Sequence, residues 1–321
     1  MIMKKKLPLS QLAHMGLIVC LSLGSCSAQV PAPAQPEKKV ERKVERKVEK
    51  KKSLLGFAAK MVMGKNGGDK HFYFPMKGKG RTPDHYGIAY EDVFFQSADK
   101  TKLHGWFLPA KGGVKAAKAT IVFSHGNAGR VSDHLGFVAG MITSGYNVLL
   151  YDYRGFGQSE GKVEKVGAIS DTVAAFRYIK TRKDIDQNKI LVVSHSLGGA
   201  KSIAALAEYH PKGLRGIVVM STFSSYRKLA ILQAGEVASY VVTDTYNPVD
   251  LMKKLPKVPL LVFHAENDQL IPCEHGEEIY DAANQPKTLM KLRAGGHNSL
   301  LAVNDHENEK KLLKWLDNVV K

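Results

Sequence analysis

The sequence predicts an α/β protein: a mostly parallel, eight-stranded sheet flanked by helices, with a short cap insertion. Three observations carry this expectation. Near-continuous apolar runs at 119–124, 147–153, 189–194, 216–220, 258–264 and 288–292 read as strands buried on both faces. Stretches of helical periodicity at 131–144, 165–182, 197–209, 274–283 and 305–320 take turns with them. Strands that alternate with helices pair in parallel, because each crossover returns the chain to the same end of the sheet. The stretch "EDVFFQSADKTKLHGWFLPA", from Glu91, alternates apolar and polar and turns near Ser97 to Lys100, which adds an antiparallel hairpin on one edge. Residues 223–250 lack strand character, and an insertion of that length is expected to form a cap or lid.

A chain of 321 residues with 44% hydrophobic content can bury a sizeable core. Its net charge of +17 would point to nucleic acid or an anionic surface if it were evenly spread. However, residues 1–60 hold 13 Lys/Arg against 4 Asp/Glu, so more than half of the excess lies in the tail. The body lacks the aromatic-interleaved basic pattern of nucleic-acid binders, and no nucleic-acid partner is expected. Cys20 and Cys26 lie in or just after the N-terminal apolar stretch and Cys273 is alone in the body, so the body has no internal disulfide to form.

Met1 to Lys6 is basic, residues 7–23 are mostly apolar, and Gly24 and Ser25 are small, which is the layout of a secretory signal over 1–25. The apolar part is short and interrupted for a membrane span. Leu23-Gly24-Ser25-Cys26 resembles the bacterial lipoprotein lipobox, which implies lipidation of Cys26. Cys20 is the poorer candidate because Val19 is not small. Ser27, in place of Asp, resembles the pattern that permits transfer to an outer membrane, so the expected location is the bacterial envelope. Ordinary cleavage near Ala28 and a retained anchor are the alternatives.

Residues 26–62 read as a low-complexity tether, with prolines among small residues followed by repeats of Lys-Val-Glu-Arg. A helix there would stack Glu41, Glu45 and Glu49, and likewise Lys43, Lys47 and Lys51, at repulsive i,i+4 spacing. Arg42–Glu45 and Arg46–Glu49 attract at i,i+3, but no stable helix is expected. As a flexible chain, residues 27–52 would reach about 28 Å. Attraction to anionic lipid is one use of this charge. A plain solvated spacer is the reading preferred.

Reactive groups collect at the carboxyl ends of strands in an open parallel sheet. "SHSLGG" at 194–199 lies at such an end, where a sharp strand-to-helix turn would expose Ser196 and aim the Leu197 N–H to the same side. Small residues are needed there because strand and helix pass close together. Gly198 meets that need, and Ser194 stands where the usual pattern has its first glycine. Ser194 is a weaker nucleophile candidate because Val192 is too bulky for the corner.

A serine needs a base, and the base needs an orienting carboxylate. Asp268 in "HAENDQLIP" and His297 in "AGGHNS" each follow a predicted strand, which completes the order Ser196, Asp268, His297. Glu266 is the alternative acid. His125, His195 and His264 are expected to be structural. "SHGNAG" at 124–129 follows the first parallel strand, so the N–H of Asn127, with Ala128 as fallback, would join that of Leu197 in an oxyanion hole.

These motifs, together with "YDYRGFGQSEG" at 151–161, resemble the α/β-hydrolase superfamily from about Glu91 onward. Their spelling is similar to serine-aminopeptidase-like and lipid-active members. The resemblance implies Ser196 as nucleophile, His297 as general base and then acid, and Asp268 as orienting carboxylate. It also implies structural roles for Arg154 and Gly155.

"RGFGQSEG" imitates a dinucleotide fingerprint, but its third glycine, Gly161, comes one place late. No cofactor and no metal are expected. Cys273 is expected to pack. The expected catalytic domain is 63–321, with its cap at about 223–250. The expected activity is a membrane-tethered serine hydrolase acting on a small-molecule or lipid acyl ester or thioester. An N-terminal peptidase with the same triad and a non-catalytic envelope binding module are the alternatives.

Overall fold

The computed structural model of the chain describes residues 68–321 except residue 304, together with Arg42, Glu45, Arg46, Val48 and Glu49. The expected signal at 1–25, Cys20, the expected lipidation site Cys26 and the rest of the expected 26–62 tether lie outside the described residues. The five described tether residues are exposed and helical, where like-charge spacing led to no helix being expected. They include both attractive i,i+3 pairs, Arg42–Glu45 and Arg46–Glu49, the spacing that favours a helix here.

Eight strands form the main sheet of the body. β1 (Glu91–Gln96) and β2 (Lys102–Leu108) are the edge hairpin. They are followed by β3 (Ala119–Ser124), β4 (Tyr146–Tyr151), β5 (Ile190–His195), β6 (Leu214–Met220), β7 (Leu260–Ala265) and β8 (Lys287–Leu292). The spatial order is β1-β2-β4-β3-β5-β6-β7-β8. β2 runs antiparallel to both of its neighbours, and the other pairings are parallel. From β3 the chain goes to β4 on one side and later returns to β5 on the other, which opens a crevice at the carboxyl end where these strands meet.

Alternate residues of the strands feed two separate cores. Leu191 and Val193 point to one side with Ile121, Phe123 and Val218, against Met141 of α1 (Leu135–Thr143) and Leu312 and Leu316 of α6 (Glu307–Val319). Val192 points to the other side with Val122 and Val219. There it meets Phe176 of α2 (Lys165–Thr181) and Ile203 of α3 (Leu197–Glu208). This is the period-two consequence of burying both faces of a sheet. Each such aliphatic side chain contributes about 1.5–3 kcal/mol by leaving water.

Several boundaries shift from expectation by one to four residues, two of them for clear local reasons. β4 stops at Tyr151, not at residue 153: the Asp152 N–H still meets His104 O of β2 at 2.9 Å, but the Arg154 N–H then goes to Asp171 Oδ2 at 2.8 Å and the Tyr153 carbonyl accepts the Phe156 N–H at 3.0 Å in a turn. β7 starts at Leu260, one residue after Pro259, which has no N–H for the ladder.

The 223–250 insertion is helical, with α4 (Tyr226–Ala234), a 3-10 turn at Glu236–Tyr240 and a short helix at Pro248–Leu251. Ser225 Oγ accepts the Lys228 N–H and caps α4. Tyr226, Leu229 and Ala230 are buried in the core on the α2 and α3 side, so this part of the insertion is packed down. α5 (Glu274–Ala282) follows β7.

Candidate active site

Ser196 links β5 to α3 with φ 55° and ψ −123°. A residue with a side chain is strained there by about 1–3 kcal/mol. The turn is held by the Ser196 N–H on Met220 O at 2.8 Å and the Gly199 N–H on Ser196 O at 3.0 Å. A Cβ at Gly198 would lie 2.1 Å from Ser124 O, so the start of α3 passes against the end of β3 with no room for a side chain. Ser194 is buried and donates its hydroxyl to Val218 O at 3.0 Å in the neighbouring strand.

His297 reaches this turn from the loop after β8. Its Nε2 is 3.0 Å from Ser196 Oγ, and its Nδ1 is 2.8 Å from Asp268 Oδ2. A carboxylate can only accept, which assigns the proton to Nδ1 and leaves Nε2 to receive the serine proton. Asp268 Oδ1 takes the N–H groups of Leu270 and Ile271 at 3.0 and 2.9 Å. Burial works against ionising this carboxyl. The His264 ring 3.5 Å away, hydrogen bonds from His297 and Ile271 and the charge of His297 outweigh it and hold Asp268 well below the usual carboxylate range. Glu266, the alternative acid, is exposed.

The loop 124–129 lies beside the serine, since a Cβ at Gly126 would be 3.7 Å from Ser196 Cβ. Leu197 opens α3, so its N–H has no partner within the helix. Among the described residues, neither the Asn127 nor the Leu197 N–H bonds to a protein oxygen. The Asn127 carbonyl accepts the Phe74 N–H at 2.7 Å and Gly129 O accepts that of Met76 at 2.9 Å, which pins the loop through a short parallel pairing of Phe74–Pro75 with Ala128–Gly129. Ala128 is exposed and is the register partner of Phe74 in that pairing. Two preorganised N–H groups beside a serine can stabilise a tetrahedral oxyanion, by about 2.7–4 kcal/mol per donor.

The supporting histidines are buried, and each has a definite contact. His125 Nδ1 donates to Gly126 O at 2.8 Å. His264 Nε2 donates to Ile271 O at 2.8 Å and lies 3.5 Å from Asp268 Oδ2. His195 Nε2 donates to the His297 carbonyl at 2.9 Å. Burial first, and then the nearby His297, push the pKa of His195 well below the ordinary value, so it stays neutral. His195 therefore steadies the loop that carries the candidate base.

The sequence carried no signal for this contact or for the Phe74 and Met76 anchors, because all three join segments far apart in the chain. Arg154 binds Asp171 and Asp99, a structural clamp. Cys273 is buried at the start of α5, and burial pushes its thiol up to about 11.

Residues 115–248 match the profile of a family described as serine aminopeptidase, S33. The uncharacterised protein YfhR of Escherichia coli strain K12 is 34% identical over 227 residues, which is 70% of this chain and 78% of that protein. The α/β-hydrolase domain-containing protein WAV2 of Arabidopsis thaliana is 30% identical over 234 residues, 67% of this chain and 75% of that one. The solved structure of the Pyrococcus furiosus esterase Pf2001 is similar with a TM-score of 0.67 at 21% identity, covering 78% of this chain and 99% of that one.

Proposed function

The chain belongs to the α/β-hydrolase superfamily, in its serine-aminopeptidase-like branch, and from that premise we propose that it is a serine hydrolase of carboxylic esters or thioesters, tethered to a bacterial envelope through Cys26. The observation that carries the reaction is the chain of hydrogen bonds from Ser196 Oγ through His297 to Asp268, at 3.0 and 2.8 Å, on a strained turn. Ser196 Oγ attacks the acyl carbonyl as His297 Nε2 takes its proton. The N–H groups of Leu197 and Asn127 receive the developing oxyanion. His297 then protonates the leaving group, and a water activated by the same nitrogen releases the acyl group from Ser196.

An apolar cavity of about 330 Å³, suited to an acyl chain, lies between Phe72 and the insertion, lined by Ala230, Val237, Ala238 and Val241. None of Ser196, Leu197, Asn127 or His297 is in its lining. Phe72 is two residues, at most about 7 Å of chain, from the Phe74 that anchors the oxyanion loop.

Fluorophosphonate labelling tests the nucleophile. Label is expected on the wild type and absent from Ser196→Ala, whereas equal labelling of both removes the assignment. The family description favours a second reading in which the same triad cleaves an amide at a peptide N-terminus. Faster turnover of aminoacyl nitroanilides than of p-nitrophenyl acyl esters would select it. Ester turnover that disappears in His297→Ala excludes a non-catalytic binding module. Tethering predicts detergent partitioning that is lost in Cys26→Ala.

A further inference from the structure

Beside the site runs a stretch that the chemistry above does not use. Residues 74–81, "FPMKGKGR", are all exposed. Phe74 and Met76 stand 59% and 51% in water. Two residues apart on an extended backbone, they face the same way.

That backbone is not free to turn them inward. It is held by the Phe74 N–H on Asn127 O, the Met76 N–H on Gly129 O, the Gly78 N–H on Gly157 O at 3.0 Å and the Gly157 N–H on Met76 O at 2.8 Å. The neighbouring Tyr73 is buried, so the exposed pair sits on an ordered segment. Single exposed apolar residues need no explanation. Here, however, cations accompany the pair: from residue 70 to residue 81 the chain carries Lys70, Lys77, Lys79 and Arg81 and no carboxylate. Of these, Lys79 is paired with Asp92 at 2.8 Å and the Lys77 ammonium donates to Ser159 O at 2.9 Å, which leaves its two other protons for a headgroup.

We propose that this strip is a lipid-contact surface, with Phe74 and Met76 entering the interface of an anionic bilayer and the lysines and Arg81 meeting its headgroups. Apolar side chains flanked by cations are the composition that binds such an interface, reaching about 5–10 Å into it. Phe74 and Met76 hold the loop of Asn127, so contact through them sets the mouth of the Ser196 site on the membrane surface. The substrate is then an acyl ester of an amphiphile that resides in the bilayer. This last statement rests on the acyl-ester reading; the contact itself can be measured without turnover.

The test uses the full chain carrying Phe74→Trp, reconstituted in vesicles of phosphatidylglycerol and phosphatidylcholine with brominated acyl chains. Its emission is read above that of the native Trp106 and Trp315. Emission from the introduced indole is expected to shift to the blue and to be quenched. In the Lys77→Gln/Arg81→Gln background the ratio of contacting to free strip is expected to fall about thirty-fold at low salt.

Emission at position 74 that brominated lipid leaves unchanged, as a protein partner for this strip would produce, overturns the proposal. Equal quenching in pure phosphatidylcholine also overturns it, as does equal quenching of Val166→Trp, an exposed position on α2. Hydrolysis of a soluble short-chain ester by the wild-type chain is read separately. Its absence tells against the acyl-ester reading and leaves the quenching result intact.

Discussion

Ser194 donates its hydroxyl to the carbonyl of Val218 at 3.0 Å, from β5 into β6, two residues before the serine that bonds His297. The hydroxyl is committed to the sheet, and Ser194 occupies the position usual for glycine as a small residue. Ser194→Gly is therefore expected to keep fluorophosphonate labelling, at a stability cost of about 0.5–1.5 kcal/mol for the lost hydrogen bond. Ser196→Ala should lose turnover by about 10⁶-fold while folding normally. Label lost from the Ser194 variant alone would reverse the assignment.

Asp268→Asn should lower kcat about 10⁴-fold, because an amide can stabilise the wrong tautomer of His297. The same variant has a signature in stability. Asp268 has its carboxyl depressed in the folded state, so its contribution is present above the unfolded value of about 3.9 and is lost as pH falls through the folded value. The gap in unfolding free energy between wild type and Asp268→Asn should be constant above about pH 5 and shrink below about pH 4. A gap that widened toward acid would contradict the hydrogen-bonding geometry.

Lys201 is fully buried in α3 and donates to Tyr226 Oη at 3.0 Å, with its ammonium 4.9 Å from the centre of the Tyr73 ring. Burial, and then the charge of Lys165, hold its pKa well below the ordinary lysine value. The unfolded chain therefore binds more protons, and the wild type loses stability as pH falls from about 10.4 toward the folded value. Lys201→Met should raise Tm, by about 2–4 °C for each kcal/mol recovered, with the gain growing from pH 10 to neutrality. Thermal unfolding across that range checks it, and a lower Tm for the variant at neutral pH would count against this account.

Two helix glycines should respond in opposite ways. Gly136 in α1 has open space where a Cβ would go, so Gly136→Ala should stabilise by up to about 1 kcal/mol. Gly198 faces Ser124 O, and Gly198→Ala should destabilise by about 1–3 kcal/mol and reduce labelling of Ser196 by displacing the turn. Denaturant unfolding of the two variants, with labelling alongside, separates helix propensity from packing.

Much of the site was legible because its parts are marked locally. Ser196, Asp268 and His297 each follow an apolar run, and the glycines around Ser196 announce a turn where two elements pass close together. Other features were less visible. The helical residues among 42–49 are hard to foresee, because i,i+4 repulsion and i,i+3 attraction oppose each other there. "YDY" carries the strand pattern past the end of β4, because the turn that ends the strand depends on Arg154 meeting Asp171 of α2.

By itself, the sequence determined the order of strands and helices, the residues proposed as nucleophile, base and acid, and the small residues their turns require, since these depend on periodicity and on neighbours within a few positions. The tertiary structure decided which serine faces His297, that His195 holds the His297 carbonyl, and that an exposed strip led by Phe74 anchors the loop of Asn127. Those relations join segments tens of residues apart. Only the packing of the sheet fixes such distances, and no local pattern encodes them.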